Sequence, residues 1–284
     1  MSLTLKNRMI KLVDRVGYLL AALPLLGGYF YKFAKIIVKY RDNNANSDFY
    51  TNGECYLLNY FIKKQLLKTV FDVGANLGEY TSLIAGSKSQ GTKIYAFDPR
   101  SSNIEYLKKR FNGDGRIVII EKALSDYDGS IDFYQNDDLA QSGADSVYNM
   151  AAIGYFCNTR KVSVPCATID SFSAKHQVEH IDLVKIDVEG HELFVLKGAK
   201  RLLEKGNIDY IQFEYGHAAR AARVFLIDLV NFLQAYGYRI YIIYPKGIKP
   251  FRYSPWEENR FDMINFLAVS SKASNNINSI ILRT

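Results

Sequence analysis

A chain of 284 residues that is 48% hydrophobic and 14% aromatic has an ordinary globular composition and can bury a sizeable core, as one large domain with an appendage. Its three cysteines, Cys55, Cys157 and Cys166, show neither paired nor metal-ligand spacing, which argues against a disulfide framework or a zinc site and for a reducing compartment. The formal charge of +7 is mild and sits at the front, where Lys6, Arg8, Lys11, Arg15, Lys32, Lys35, Lys39 and Arg41 face only Asp14 and Asp42.

Residues 1–50 read as a basic amphipathic helical appendage. Leu5, Met9, Leu12, Val13, Val16, Leu19, Leu20 and Leu23 recur at helical spacing until Pro24 and Gly27-Gly28 interrupt, and Phe30, Phe33, Ile37 and Tyr40 then alternate with the second group of basic residues. The uncharged run from Val16 to Tyr31 is 16 residues long, short of the ~20 that a spanning helix needs. Two readings stay open for residues 1–42: a helical hairpin in peripheral contact with a membrane surface, or a pair of helices capping the following domain. A cleaved signal peptide is disfavoured, because basic residues resume directly after the run.

The main domain is expected over 51–270. One or two helices between Asp48 and Lys68 lead in, burying Tyr56, Leu57, Tyr60, Phe61, Leu66 and Leu67. Strand-like runs at 69–73, 93–97 and 116–120 then alternate with helix-like segments at 78–88 and 102–111, a series that implies a parallel sheet with right-handed crossovers. Two alternating runs, 130–134 and 161–165, flank a polar stretch, Asn136–Asn158, of the length expected for a lid or binding loop. Thr168 is placed to cap a short helix. Strands at 181–186, 207–213, 239–244 and 263–269, with helices after the first two, the second around Arg220–Tyr236, bring the sheet to about seven strands. Residues 271–284 read as a loose polar tail.

The densest signal is Val70 to Thr81. An apolar run ending at Val73 enters Gly74-Ala75-Asn76-Leu77-Gly78 and then a helix-compatible segment with Tyr80 and Thr81, the sequence form of a strand, a tight turn and a helix N-terminus that cradles a nucleotide-type cofactor. The spacing is not the dinucleotide Gly-x-Gly-x-x-Gly. Asp72 would repel a pyrophosphate but hold an ammonium group, which S-adenosylmethionine (SAM) carries. Asp98-Pro99 ends the second strand, where a carboxylate accepts hydrogen bonds from ribose hydroxyls. Ser125 and Asp126, past the third strand, are candidates for reading the adenine edge, with an Asx-type turn as the alternative for Asp126.

Asp72, Asp98, Asp187, Glu189 and Glu214 all fall at or just beyond strand ends, the edge where open α/β sheets bind ligands, and His191 lies beside them. Phe71 to Gly78, Phe97-Asp-Pro99, Ala123 to Asp126, Thr168-Ile-Asp170 and Lys185-Ile-Asp-Val-Glu-Gly-His-Glu192, in this order, resemble the FkbM-type SAM-dependent methyltransferases over roughly residues 69–215. The resemblance implies a Rossmann-like class I methyltransferase fold, a mostly parallel sheet with helices on both faces, SAM as cofactor, and methyl transfer to an oxygen of a small-molecule or glycan acceptor, commonly a sugar hydroxyl. Asp98 stands where the family usually has Glu.

For the chemistry, His191 has a suitable ordinary pKa, about 6.5, for the base that removes the hydroxyl proton. Glu189 is the rival base. A third arrangement lets Asp187, Glu189 and Glu214 hold Mg2+, although a metal-free base is preferred. Tyr244, Phe251, Tyr253 and Trp256, with Lys246, Lys249, Arg252 and Arg260, form either an aromatic platform for a sugar or a hydrophobic lid. Nucleic acid is a poor partner, because basic and aromatic residues interleave only there. An NAD-dependent oxidoreductase is opposed by Asp72 and the missing middle glycine, and a non-catalytic SAM-fold module stays open. The expected location is the cytoplasm, at a membrane surface if residues 1–42 dock there. The pattern does not bear on oligomeric state.

Overall fold

The computed structural model describes residues 3–24, 26–86, 91–136, 143–154, 159–255 and 263–282. The chain forms two compact units, Met1–Asn44 and Ala45–Thr284. The first consists of α1 (Leu3–Ala22) and α2 (Gly27–Asp42), which contact each other across a turn where the Gly27 N–H donates to the Leu23 carbonyl. Gly27 is required there, since a Cβ would lie 2.2 Å from the Ala21 carbonyl oxygen.

The second unit is built on an eight-stranded sheet in the order β10-β9-β11-β8-β7-β1-β2-β3. Strands β1 (Thr69–Val73), β2 (Lys93–Asp98), β3 (Ile117–Glu121), β7 (Ile181–Ile186) and β8 (Ile208–Gly216) run parallel to one another. β11 (Met263–Val269) is antiparallel to both β8 and β9 (Arg239–Tyr244), and β10 (Gly247–Pro250) closes the edge antiparallel to β9. The order reverses between β1 and β7, so the crevice at the carboxyl ends of those two strands is the natural ligand site. β7 is buried along its whole length because helices cover both faces of the sheet.

One face packs Phe71, Val73, Phe97, Ile186 and Phe213 against α6 (Ile169–Lys175), α7 (Glu192–Lys197), α8 (Lys200–Glu204) and α10 (Leu226–Ala235). The other packs Val70, Ile94, Leu183 and Tyr210 against α3 (Glu54–Lys63) and α4 (Glu79–Gly86), with α5 (Ser101–Arg110) resting on Ala75 and Ala96. Thr168 caps α6 as expected, its hydroxyl accepting from the Ser171 N–H at 2.9 Å.

Four features depart from the sequence reading. The tail expected to be loose forms a 3-10 helix at Ser274–Ile280; Ala273, Ile277 and Ile280 recur at helical spacing and bury against the α3 side of the core, and the Tyr60 hydroxyl donates to the Asn276 carbonyl at 2.5 Å. The alternating runs near 130 and 161, outside the seven expected strands, pair with each other as β5 (Gly129–Asn136) and β6 (Thr159–Ala167), and an unanticipated β4 (Ala123–Leu124) joins them as the third strand of a small separate sheet. The expected helix around Arg220–Tyr236 is two, α9 (Ala218–Ala222) and α10, separated where Arg223 takes a left-handed φ of 56°. β10 was not anticipated, because a four-residue edge strand ending in proline carries almost no periodic signal.

In the segment 244–255, Phe251 is buried against Phe266 with ring centroids 5.1 Å apart, and Lys249 lies 4.4 Å above the Tyr244 ring. Trp256, Arg260 and Cys157 fall outside the described residues, as do 137–142 and 155–158 of the expected lid.

Candidate active site

The carboxyl ends of β1, β2, β7 and β8 open into a crevice of about 230 Å3. Ser47, Glu54, Gly74, Asn76 and Asp187 line both this crevice and a second chamber of about 290 Å3.

The floor of the crevice is the turn after β1. Gly74 has φ +80°, and a Cβ there would come within 1.8 Å of the Asp187 carbonyl oxygen, so the turns after β1 and β7 meet with no room for a side chain. The Gly74 and Ala75 N–H groups both donate to the Phe97 carbonyl, at 3.0 and 2.9 Å. Gly78, φ +77°, faces away: its Cβ would strike Leu107 of α5 and Phe111 just past its end, so it is a packing glycine.

Asp98 sits where the sequence placed it, lining the crevice with Pro99. Its Oδ2 accepts from the Asn76 N–H at 2.9 Å, and its Oδ1 accepts from the Arg100 N–H at 2.9 Å and from Asn103 Nδ2 at 3.2 Å. Burial nevertheless outweighs the three donors and, with the charge of Asp145 adding to it, pushes the pKa up to about 6.

Two pairs of expected cofactor residues lie elsewhere. Asp72 and Thr81 are fully buried and line neither chamber; Asp72 shares the face of Val70, and its Oδ2 accepts from the Thr81 hydroxyl at 2.7 Å. The alternation of β1 decides this, since Val73 turns its side chain to the crevice and Asp72 turns the other way. Ser125 and Asp126 do not line the crevice either: the Ser125 hydroxyl is 2.9 Å from His191 Nε2, and the wall beyond β3 is made by Lys122, Ala123, Leu124 and Phe133.

Behind the floor runs a buried polar row. Asp72, Lys185 and Gln212 are register partners on β1, β7 and β8. The Lys185 ammonium is 3.1 Å from Asp187 Oδ2 and 3.7 Å from Asp72 Oδ1, an oxygen that accepts no hydrogen bond among the described residues. Burial opposes the charge on Lys185, but Asp187, Asp72 and Glu54 outweigh it and hold the ammonium above its ordinary range. Tyr80 Oη donates to Gln212 Oε1 at 3.0 Å, and Gln212 Nε2 donates to Glu54 Oε1 at 2.5 Å.

Asp187, Glu189 and Glu214 line the crevice together, each with an oxygen within 4.8 Å of the others. Glu189 holds its position through a left-handed φ of 50°, followed by Gly190 at 102°. Burial first, and then the charge of Asp187 and the other acids nearby, push both glutamates well above the usual carboxylate range. Glu192 reaches back to accept from the Gly190 N–H at 3.0 Å, and burial raises it to about 7.

His191 also lines the crevice, but both ring nitrogens are engaged: Nε2 with Ser125 and Nδ1 with the Tyr148 hydroxyl at 3.1 Å. Its ring stacks on Phe194 with centroids 4.8 Å apart, and burial lowers its pKa to about 4. Tyr148 belongs to the segment 143–149, a strap along the crevice that lines it with Gly143, Asp145 and Val147. That strap is tied by a buried Arg100–Asp145 ion pair of 2.7 Å and by the Ser146 hydroxyl donating to the Glu189 carbonyl at 2.7 Å.

Sequence reasoning missed Glu54, Asn103, Lys122 and Asp145. Glu54 comes from a helix that precedes the glycine turn, and Asp145 from a stretch without period, so no local pattern marks either; Asn103 could have been found as the inward position of the helix after Asp98-Pro99.

The sequence matches the methyltransferase FkbM domain over residues 72–240, more than half of the chain. The chain belongs to the FkbM methyltransferase family. It is 25% identical over 148 residues to the hexuronic acid methyltransferase AglP of Haloferax volcanii, a match covering 52% of this chain and 56% of that protein. It is 23% identical over 152 residues to the 2-O-methyltransferase NoeI of Sinorhizobium fredii, covering 51% of this chain and 62% of that protein. Each match thus spans less than two thirds of the curated relative. Among solved structures, a methyltransferase FkbM from Methylobacillus flagellatus KT aligns at 17% identity and a TM-score of 0.44, over 71% of this chain and 44% of that one.

Proposed function

We propose that this FkbM protein is a SAM-dependent O-methyltransferase acting on a sugar hydroxyl, in a surface polysaccharide, glycolipid or similar natural product. The observation that carries the reading is the meeting, at one sheet edge, of a glycine turn without room for a side chain, Asp98 at the end of β2, and the acids Asp187, Glu189 and Glu214. These residues fit SAM. Asp98 retains lone pairs for ribose hydroxyls beyond its three protein donors, Lys122 to Leu124 and Phe133 provide a wall for the adenine, and Asp187 replaces Asp72 as the carboxylate for the ammonium group.

Bound SAM supplies an activated methyl group. The chain's own residues hold the acceptor oxygen in line and take its proton. The coupled pair Glu189 and Glu214 suits the proton better than His191, since raised carboxylates lie nearer a useful basicity while both His191 nitrogens are occupied. His191 then positions Tyr148 and the strap. The convergence of three carboxylate oxygens would also suit Mg2+, but Lys185 already provides a counter-charge, and the reading is metal-free.

The acceptor end carries Glu54, Asp187, Glu189 and Glu214, while among the described residues the cations lining the two chambers are Lys122 on the adenine wall and Lys185, already paired with Asp187 and Asp72. This favours an uncharged or amino-bearing sugar over a uronic acid. The unpaired spacing of Cys55, Cys157 and Cys166 and the basic helices 3–42 favour work in the cytoplasm at a membrane surface.

Calorimetry with SAM, and with NAD as competitor, tests the reading. Micromolar SAM affinity, roughly −8 kcal/mol, that falls with Asp98→Ala supports it; preference for NAD sinks it.

A further inference from the structure

We infer that α1 and α2 lie in the plane of an anionic lipid bilayer, with the apolar side of α2 in the acyl region and its lysine stripe among phosphate headgroups. The inference rests on the membrane-surface location proposed above and adds the lipid class and the residues that meet it.

Every residue of α2 from Gly28 to Arg41 is exposed, and so is α1 from Asn7 to Leu19. That is unusual for helices with this content. Phe30, Phe33 and Ile37 recur at i, i+3 and i+7, and Lys32, Lys35 and Lys39 repeat the same spacing on the opposite face. Tyr29, Tyr31 and Tyr40 fill the positions between, and Tyr40 is 77% exposed. Tyrosine at the border of an apolar face is the arrangement expected at a membrane interface, where one end of the ring is dry and the other wet. On α1, Met9, Leu12, Val16 and Leu19 form the apolar stripe, and Arg8 and Arg15 flank it. An exposed apolar surface of this extent requires a cover.

Charge selects the cover. The first 42 residues hold eight basic side chains against two acidic ones and so account for six of the seven net positive charges of the chain. A neutral protein groove would bury those cations at a cost, whereas lipid phosphates neutralise them, and long lysine stems let the charge reach the headgroups. No described helix is long and apolar enough to cross a membrane, so the pair lies along the surface. α2, with 16 residues, spans about 24 Å of it.

The test is co-sedimentation of the full chain with vesicles of phosphatidylcholine alone or with about a third phosphatidylglycerol. Wild type should bind the anionic vesicles at least about tenfold more tightly and lose that margin at high salt. The triple variant Lys32→Glu, Lys35→Glu, Lys39→Glu should lose the preference, and Phe33→Ser with Ile37→Ser should weaken binding to both vesicle types while leaving SAM affinity unchanged. Equal binding to both vesicles, binding to neither, or a salt-insensitive dimer that shields the helices overturns the inference. Failure to bind SAM in the same preparation, with vesicle binding intact, would instead overturn the methyltransferase reading.

Discussion

Asp98 gives the site a pH dependence whose size follows from its surroundings. In the folded protein its pKa is raised from 3.8 to about 6, chiefly by burial. A folded-state carboxyl with a raised pKa binds more protons than its unfolded counterpart between those values, so its contribution to stability is present at low pH and is lost as pH rises through about 4 to 6. About two pKa units correspond to roughly 3 kcal/mol. Ribose hydroxyls need the ionised form, so cofactor binding runs the opposite way: SAM affinity should be level above pH ~6 and weaken about tenfold for each unit below it. Asp98→Asn removes the titration while keeping the shape. Its SAM affinity should be weaker at pH 8 by about a hundredfold, the worth of one or two charge-assisted hydrogen bonds, and nearly flat from pH 5 to 8. Calorimetric titration of both proteins across that range is the assay. The same slope in wild type and Asp98→Asn would refute the argument, because the titrating group would then lie elsewhere.

Gly74→Ala should destabilise the protein by at least about 2 kcal/mol and abolish SAM binding, since it combines a positive φ with a carbonyl oxygen 1.8 Å from the new methyl; thermal melts and calorimetry check both. Lys185→Met, which strands Asp72 in a buried row, should cost about 3–5 kcal/mol in urea unfolding, and an unchanged midpoint would show that the row is not held by charge. Glu189→Gln should lower kcat about a hundredfold or more with SAM affinity retained, whereas His191→Asn should lower it less and should loosen the strap, read as faster proteolysis near 143–149. EDTA in excess should leave turnover unchanged.

The sheet and the cofactor turn were legible because each strand before the crevice is a short apolar run ended by a glycine or an acid, and that grammar is local. Asp98, Asp187, Glu189 and Glu214 could be placed from it. Asp72 could not, since a one-residue step along β1 exchanges crevice for core and the motif does not record which way the strand faces. The surroundings of His191 were hidden for a related reason: its spacing shows a histidine near the acids but not that Ser125 and Tyr148 engage both nitrogens. Glu54, Lys122 and Asp145 became site residues only through tertiary contact. The tail carried its signal in Ala273, Ile277 and Ile280, three small or branched apolar residues that polar neighbours diluted.

The turn at Asp98 to Arg100 serves the floor and the cover of the crevice together. The Arg100 main chain donates to the carboxylate that would meet the ribose, while its guanidinium grips Asp145 on the strap. The two contacts come from different parts of the residue, so any non-proline replacement of Arg100 releases Asp145 and leaves the backbone donor to Asp98 in place. Sequence variation at position 100 can therefore loosen the cover over the crevice while sparing the cofactor carboxylate.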